Sequence, residues 1–239
     1  MRDTMILHTE CRREDGMAKP DGQTDAEALI VRGRAAIRAE AAALLDLAFG
    51  LDGQFAVVAA LIVATQGLVV VSGVDESWLV GARLSATLVA TGTPSTTLHP
   101  TKALHGDLGL LRSGDLLMVL SNSGETPEVM TLLSAARAAV PGLAVVAITG
   151  SNASLIARAA DVTVSIGKNR EVCSLGLAPT TSAVVMAALG DAMAVAVAAA
   201  RGFTMRDFAR LHPGGHLGQQ INMHESMQRA ADQPMEACV

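Results

Sequence analysis

Between Ser121 and Thr126 the chain reads SNSGET, directly after an aliphatic run and directly before the helix-forming segment PEVMTLLSAARAAV. A helix start offers unpaired N–H groups and a partial positive charge. Ser121, Ser123 and Thr126 add hydroxyl donors there, and Gly124 lets the backbone come close to a ligand. Together these residue types suit an anion, a phosphate group above all. No Gly-Lys-Ser/Thr follows, so this is not a nucleotide-binding loop of the Walker type. Helix capping alone would also select Ser, Asn and Thr. A second cluster bears on the choice. Thr180, Thr181 and Ser182 open a long Ala-rich segment, with Glu171 ahead of them in REVCSLGLAP. Two hydroxyl clusters at two helix starts favour a phosphorylated ligand.

Groups able to carry a proton lie elsewhere. His212 sits between a helix end and the Pro-Gly-Gly turn of LHPGG. An imidazole there serves either as a proton carrier or as a cation complementing the helix dipole. LHPTKALHGDLG supplies His99, His105 and Asp107. Histidine beside carboxylate raises the question of a metal. No Cys/His pair has finger spacing and no His-Glu-x-x-His occurs, so none is expected.

Positioning these residues takes a sheet. The runs GLVVVSG (67–73), STTLHP (95–100), DLLMVLS (115–121), LAVVAITG (143–150) and DVTVSIG (161–167) predict five strands. SWLVGARLSATLVATG, TPEVMTLLSAARAAV and NASLIARAA predict helices between them, and residues 182–201 a long helix after them. Two helices precede the sheet, at 24–51, with a capping box from Thr24 and Glu27, and at 53–67. Strands alternating with helices predict an α/β fold, a parallel sheet with right-handed crossovers and helices on both faces. Ligands of such sheets bind beyond the carboxyl ends of the strands, which selects the loops after strands one, three and five. Residues 1–24 are expected to be a loosely held tail, 25–218 a single domain and 219–239 a C-terminal tail.

Bulk properties narrow the class. Half of the 239 residues are hydrophobic, with four Phe, one Trp and no Tyr, an aliphatic core of the kind parallel sheets use. The formal net charge of −5, without a basic run, argues against a nucleic-acid partner. SAVVMAALGDAMAVAVAAA (182–200) has nearly membrane-spanning length, but Gly190 and Asp191 interrupt it. It reads as a core helix, and no membrane partner is expected. Three widely spaced cysteines and no signal-peptide pattern fit the reducing cytoplasm.

The motifs ATGTPSTTLHP, HGDLG, LSNSGETPEV, CSLGLAPTTSAVVMAALGDAMAVAV and ARGFTMRDFARLHPGGHLG, in that order, resemble the sugar isomerase (SIS) domain family. More narrowly they are similar to its D-arabinose 5-phosphate isomerases, from about Asp25 to Gly218. The resemblance implies a flavodoxin-like three-layer sandwich, assembled as a homotetramer with sites between subunits. It implies interconversion of D-ribulose 5-phosphate and D-arabinose 5-phosphate through an enediol, with no obligate cofactor. Longer members carry paired CBS domains after the HPGG segment, so the chain resembles the short, single-domain form. The phosphate clamp falls on Ser121, Ser123, Thr126, Ser77, Thr181 and Ser182. The proton carriers fall on Glu171, His212 and Glu125, and His99 and His105 come with the substrate-binding positions. The alternative within the family is a sugar-phosphate sensor without catalysis. No helix-turn-helix is evident, so a sensor would act through a partner.

The chain departs from the family after the first strand. The pattern Gly-x-Gly-Lys-Ser-Gly is here Gly73, Val74, Asp75, Glu76, Ser77, Trp78. Glu76 replaces a functional lysine, and Asp75 and Trp78 replace glycines. After HP, Thr101 and Lys102 stand where the family has Gly-Glu. A reciprocal charge swap, with Lys102 pairing with Glu76 or supplying the missing cation, competes with independent drift of two loops. Trp78 would cover the ligand, plug the site or pack on a neighbour.

Overall fold

The computed structural model describes residues 25–216, 218–221 and 223. The predicted N-terminal tail, the Thr24 half of the capping box and most of the C-terminal tail lie outside them. Residues 218–221 and 223 are helical.

The first helix, α1 (Ala26–Gly50), starts from Asp25, whose Oδ1 accepts the Glu27 and Ala28 N–H groups at 3.0 and 3.3 Å. Chain contacts divide at residue 35. The segment up to Ala35 is a unit by itself, and the sheet belongs to the second unit, from Ala36 onward. There α2 (Gly53–Ala64) is capped by Asp52, which accepts the Gln54 N–H at 2.8 Å. The chain continues through β1 (Val69–Ser72), α3 (Glu76–Ala90), β2 (Ser95–Thr97), α4 (Pro100–Ala103) and a 3-10 turn (Asp107–Leu110). Next come β3 (Leu116–Ser121), α5 (Pro127–Ala139), β4 (Ala144–Thr149), α6 (Leu155–Ala159) and β5 (Val162–Ser165). Two helices follow, α7 (Thr181–Ala200) and α8 (Met205–Leu211).

The strands form one parallel sheet in the order β2-β1-β3-β4-β5. Side chains alternate between its faces. Val69, Val71, Met118 and Leu120 join α2, α3 and α7 in one core. Val70, Leu117, Val119 and Ala147 join α5 and α6 in the other. Both faces are covered, so the strands read as unbroken aliphatic runs rather than alternating ones. From β1 the chain moves first to β2 on one side and then to β3 on the other. That reversal makes the β1/β3 boundary the switch point, where loops diverge and leave a crevice.

The predicted strand at 95–100 is shorter than expected. It ends at Thr97, because His99 Nδ1 accepts the Thr101 N–H at 3.3 Å and Pro100 starts α4. The four-residue α4 and the 3-10 turn are too brief to show a period. In α7, Val185, Leu189, Met193 and Val197 recur every fourth residue and are fully buried. That stripe is what a core helix requires.

Candidate functional site

At the carboxyl ends of β1 and β3 lies a cavity of about 280 Å³. Its wall carries Ser121, Ser123 and Thr126 from the loop after β3, Ser182 from the start of α7 and Ser77 from the start of α3. Both hydroxyl clusters singled out in the sequence thus reach one crevice. Ser121 is the hub of the first. Its Oγ accepts the Gly124 N–H at 3.0 Å and lies 2.8 Å from Thr126 Oγ1 and 3.4 Å from Ser123 Oγ. Thr126 occupies the N-cap position of α5 yet makes no side-chain cap. Its hydroxyl turns to Ser121 instead, so capping does not explain this loop. Gly124 has φ +67°, and a Cβ there would lie 2.8 Å from Thr149 Oγ1 and run into Ser154. Only glycine fits, and the turn of the loop depends on it.

Glu171 stands behind the second cluster. Its Oε2 accepts from the Thr180 N–H (2.8 Å), the Thr180 hydroxyl (3.0 Å) and the Ser182 N–H (3.3 Å), while Oε1 takes the Ser182 hydroxyl. Thr180 is the N-cap of α7 but makes no cap bond of its own. The helix is therefore capped by a carboxylate from the preceding loop, where the dipole favours negative charge. Burial raises the Glu171 pKa, but the hydrogen bonds from Ser182 and Thr180 outweigh it and hold the carboxyl below its ordinary value. In the same loop the Cys173 Sγ accepts the Leu177 and Ala178 N–H groups at 3.1 and 3.2 Å. These backbone bonds, Ala178 first, bring the thiol below its usual range.

The loop after β1 is acidic. Asp75 and Glu76 line the cavity, and among the described residues no lysine or arginine does. Asp75 has φ +50°, and it is the one non-glycine residue with positive φ among those described. The departure from glycine at this position is thus carried as backbone strain. Gly73 could not change likewise: a Cβ on it would lie 2.9 Å from the Ser77 carbonyl.

Other predicted site residues lie outside this lining. Glu125 Oε1 accepts the Leu155 N–H at 3.0 Å and so serves the start of α6. Thr181 is buried, and its hydroxyl has no hydrogen-bond partner among the described residues. His99 caps α4 and packs edge-on against Trp78, ring centroids 5.1 Å apart. Of the three placements open to Trp78, this is packing on a neighbour. Lys102 and His105 are exposed, and among the described residues no ion pair joins Lys102 to Glu76. His212 closes α8, its Nδ1 2.9 Å from the Phe208 carbonyl and its ring stacked on Phe208 at 3.9 Å. The hold of Thr180 on Glu171 is a role that the sequence reading did not assign, and its one signal was a threonine placed between Pro179 and a helix start.

A family model for the SIS domain matches residues 62–196. The arabinose 5-phosphate isomerase KdsD of Pseudomonas aeruginosa is 45% identical over 161 residues, covering 67% of this chain and 49% of that protein. The arabinose 5-phosphate isomerase KpsF of Escherichia coli is 42% identical over 194 residues, 81% of this chain and 59% of that protein. The chain therefore spans about half the length of the curated relatives it matches. Among solved structures, an Escherichia coli CFT073 protein in complex with arabinose 5-phosphate has 34% identity and a TM-score of 0.76. That match covers 80% of this chain and 100% of the other.

Proposed function

This chain belongs to the SIS domain family, and on that premise we propose that it interconverts a phosphorylated ketose and aldose, D-ribulose 5-phosphate and D-arabinose 5-phosphate. The observation that carries the proposal is the convergence of Ser121, Ser123, Thr126 and Ser182 on one cavity, at the starts of two helices. Hydroxyls and helix N-termini there suit a phosphate monoester. The sugar's carbonyl end then points toward the acidic loop. Isomerisation removes a proton from C1 or C2 and returns it to the other carbon, through an enediol, so no redox partner is consumed. An acid–base group at the cavity must move it. Glu76 is on the wall and Glu171 is one hydrogen bond behind Ser182. In this proposal an imidazole, His105 or His212, is brought to the reaction by a neighbouring subunit of a homotetramer in the cytoplasm, without nucleic acid.

The test is turnover of ribulose 5-phosphate by the wild type beside Ser121→Ala and Glu171→Ala. Loss of a hydrogen bond to a charged phosphate costs about 1.5–3 kcal/mol, roughly 10- to 150-fold in kcat/KM. Unchanged kinetics in Ser121→Ala would remove the cradle from the mechanism.

One observation favours a second reading. Two carboxylates, Asp75 and Glu76, stand in the wall where the family pattern has glycine and lysine. Like charges repel a phosphate and an enediolate. Binding of ribulose 5-phosphate without turnover would mark a sensor, and turnover gained only by Glu76→Lys would mark a decayed enzyme.

A further inference from the structure

The helices α5, α7 and α8 each start at a threonine, and the three hydroxyls are used differently. Thr204 caps α8 in the ordinary way. Its Oγ1 accepts the Asp207 N–H at 3.2 Å, and Asp207 Oδ2 accepts the Thr204 N–H at 3.0 Å. Thr126 turns to Ser121 in the crevice. Thr180, at the same position of α7, does neither. Its hydroxyl accepts the Val172 N–H at 3.1 Å and donates to Glu171 Oε2 at 3.0 Å. These two bonds fix the direction of the O–H. A backbone N–H can only donate and an ionised carboxylate can only accept, so the Thr180 proton points at Glu171.

The carboxylate is held unevenly. Oε2 accepts the Thr180 N–H, the Thr180 hydroxyl and the Ser182 N–H. Oε1 accepts from the Ser182 hydroxyl alone among the described residues. A carboxylate oxygen has two lone pairs, so Oε2 is filled and a proton added to Glu171 goes to Oε1. That oxygen is bonded to a residue of the cavity wall. The two backbone N–H groups on Oε2 already join the loop to α7, so the Thr180 hydroxyl is surplus to capping. Burial raises the Glu171 pKa, and the bonds from Ser182 and Thr180 outweigh it. Among the described residues, no charged side chain is a cause of the shift.

We propose that Thr180 is a positioning residue of the isomerisation: its hydroxyl, aimed by Val172, keeps Oε2 of Glu171 a pure acceptor and leaves Oε1, on the Ser182 side, as the one seat for the exchanged proton. This rests on the reading of Glu171 as the acid–base group of the crevice. The proton taken from the sugar is seated on Oε1 and given back from it, so none is gained or lost.

The test compares Thr180→Val, Thr180→Ser and Cys173→Ala with the wild type. The readouts are ribulose 5-phosphate turnover across pH and an NMR titration of the Glu171 carboxyl. Thr180→Val keeps the shape and the N–H but loses the hydroxyl. Its kcat is expected to fall about tenfold or more, as for one hydrogen bond to a charged group, with KM held. The Glu171 titration and the acid limb of kcat are expected to move together to higher pH, because the bond that favoured the charged form is gone. Thr180→Ser is expected to restore both. Cys173→Ala slackens the same loop by removing the acceptor of the Leu177 and Ala178 N–H groups, and is expected to leave titration and limb in place. Thr180→Ala, which loses the same hydroxyl, takes over if the valine chain does not fold. A chain without the hydroxyl that titrates as the wild type does overturns the proposal. So does a Cys173→Ala chain that shifts as far. A wild type without turnover sinks the isomerase reading alone, since the carboxyl titration still reads the hold of Thr180 on Glu171.

Discussion

The Glu171 carboxylate accepts hydrogen bonds from Thr180 and Ser182 and thereby ties the loop after β5 to the first turn of α7. Its pKa is lower in the folded chain than in the unfolded one, because these bonds outweigh burial. The associated stabilisation is therefore present at neutral pH. It is lost as pH falls from the ordinary glutamate value of about 4.3 down through the depressed folded value. In Glu171→Gln, the Tm is expected to be lower at pH 7 and its fall toward acid pH shallower than in the wild type, as followed by thermal melts across pH. A parallel decline of both proteins would mean that the carboxylate contributes nothing. This hydrogen bonding of Glu171 to two residues was not legible in the sequence. Its partners lie nine and eleven residues away across a Gly/Pro loop, and no periodic pattern signals such a reach. The Ser121 cluster was legible because strand, turn and helix start are contiguous there. The strain at Asp75 was not, since a φ value leaves no trace in composition.

Among the elements, the five strands could be read from their aliphatic runs, because both sheet faces are covered and nothing polar interrupts them. The ends were less legible. His99 and Pro100 pull the chain out of β2 early through a local cap rather than through any change in hydrophobicity. The helix at α1 was legible but not its use. None of its residues is fully buried, and Ile37, Leu45 and Phe49 stand 68, 59 and 87% exposed. The turn between β3 and α5 gives the sharpest test at this scale. Gly124→Ala must adopt a positive φ and push against Thr149 and Ser154. It is expected to cost about 1–3 kcal/mol in chemical denaturation and to raise KM for ribulose 5-phosphate by displacing Ser123. Stability and KM both at wild-type values would show that the loop relaxes freely.

For the molecule as a whole, the cavity wall of one chain includes neither His105 nor His212. If a neighbouring subunit supplies the imidazole, as proposed, two crippled variants should help each other. Mixing Ser121→Ala with the less active of His105→Ala and His212→Ala, after partial unfolding and reassembly, is expected to return part of the wild-type turnover. An unshared site predicts only the average of the two parents. The charge pattern also acts at this scale. Asp75 and Glu76 place negative charge at the crevice of a chain whose formal net charge is already −5, so association with a phosphorylated ligand should quicken as salt screens the repulsion.

Beneath that crevice, α3 and α7 cross at Gly190, where an added Cβ would come within 3.2 Å of Leu84 Cδ1. The same two helices carry Ser77 and Ser182 at their tips, one on either jaw of the opening. The proposed grip on a sugar phosphate thus stands above a close helix crossing that a glycine permits. A methyl group added at residue 190, about 12 Å down the helix from the rim, presses on Leu84 by a few tenths of an ångström, and a raised KM in Gly190→Ala would show that this crossing sets the spacing of the two jaws.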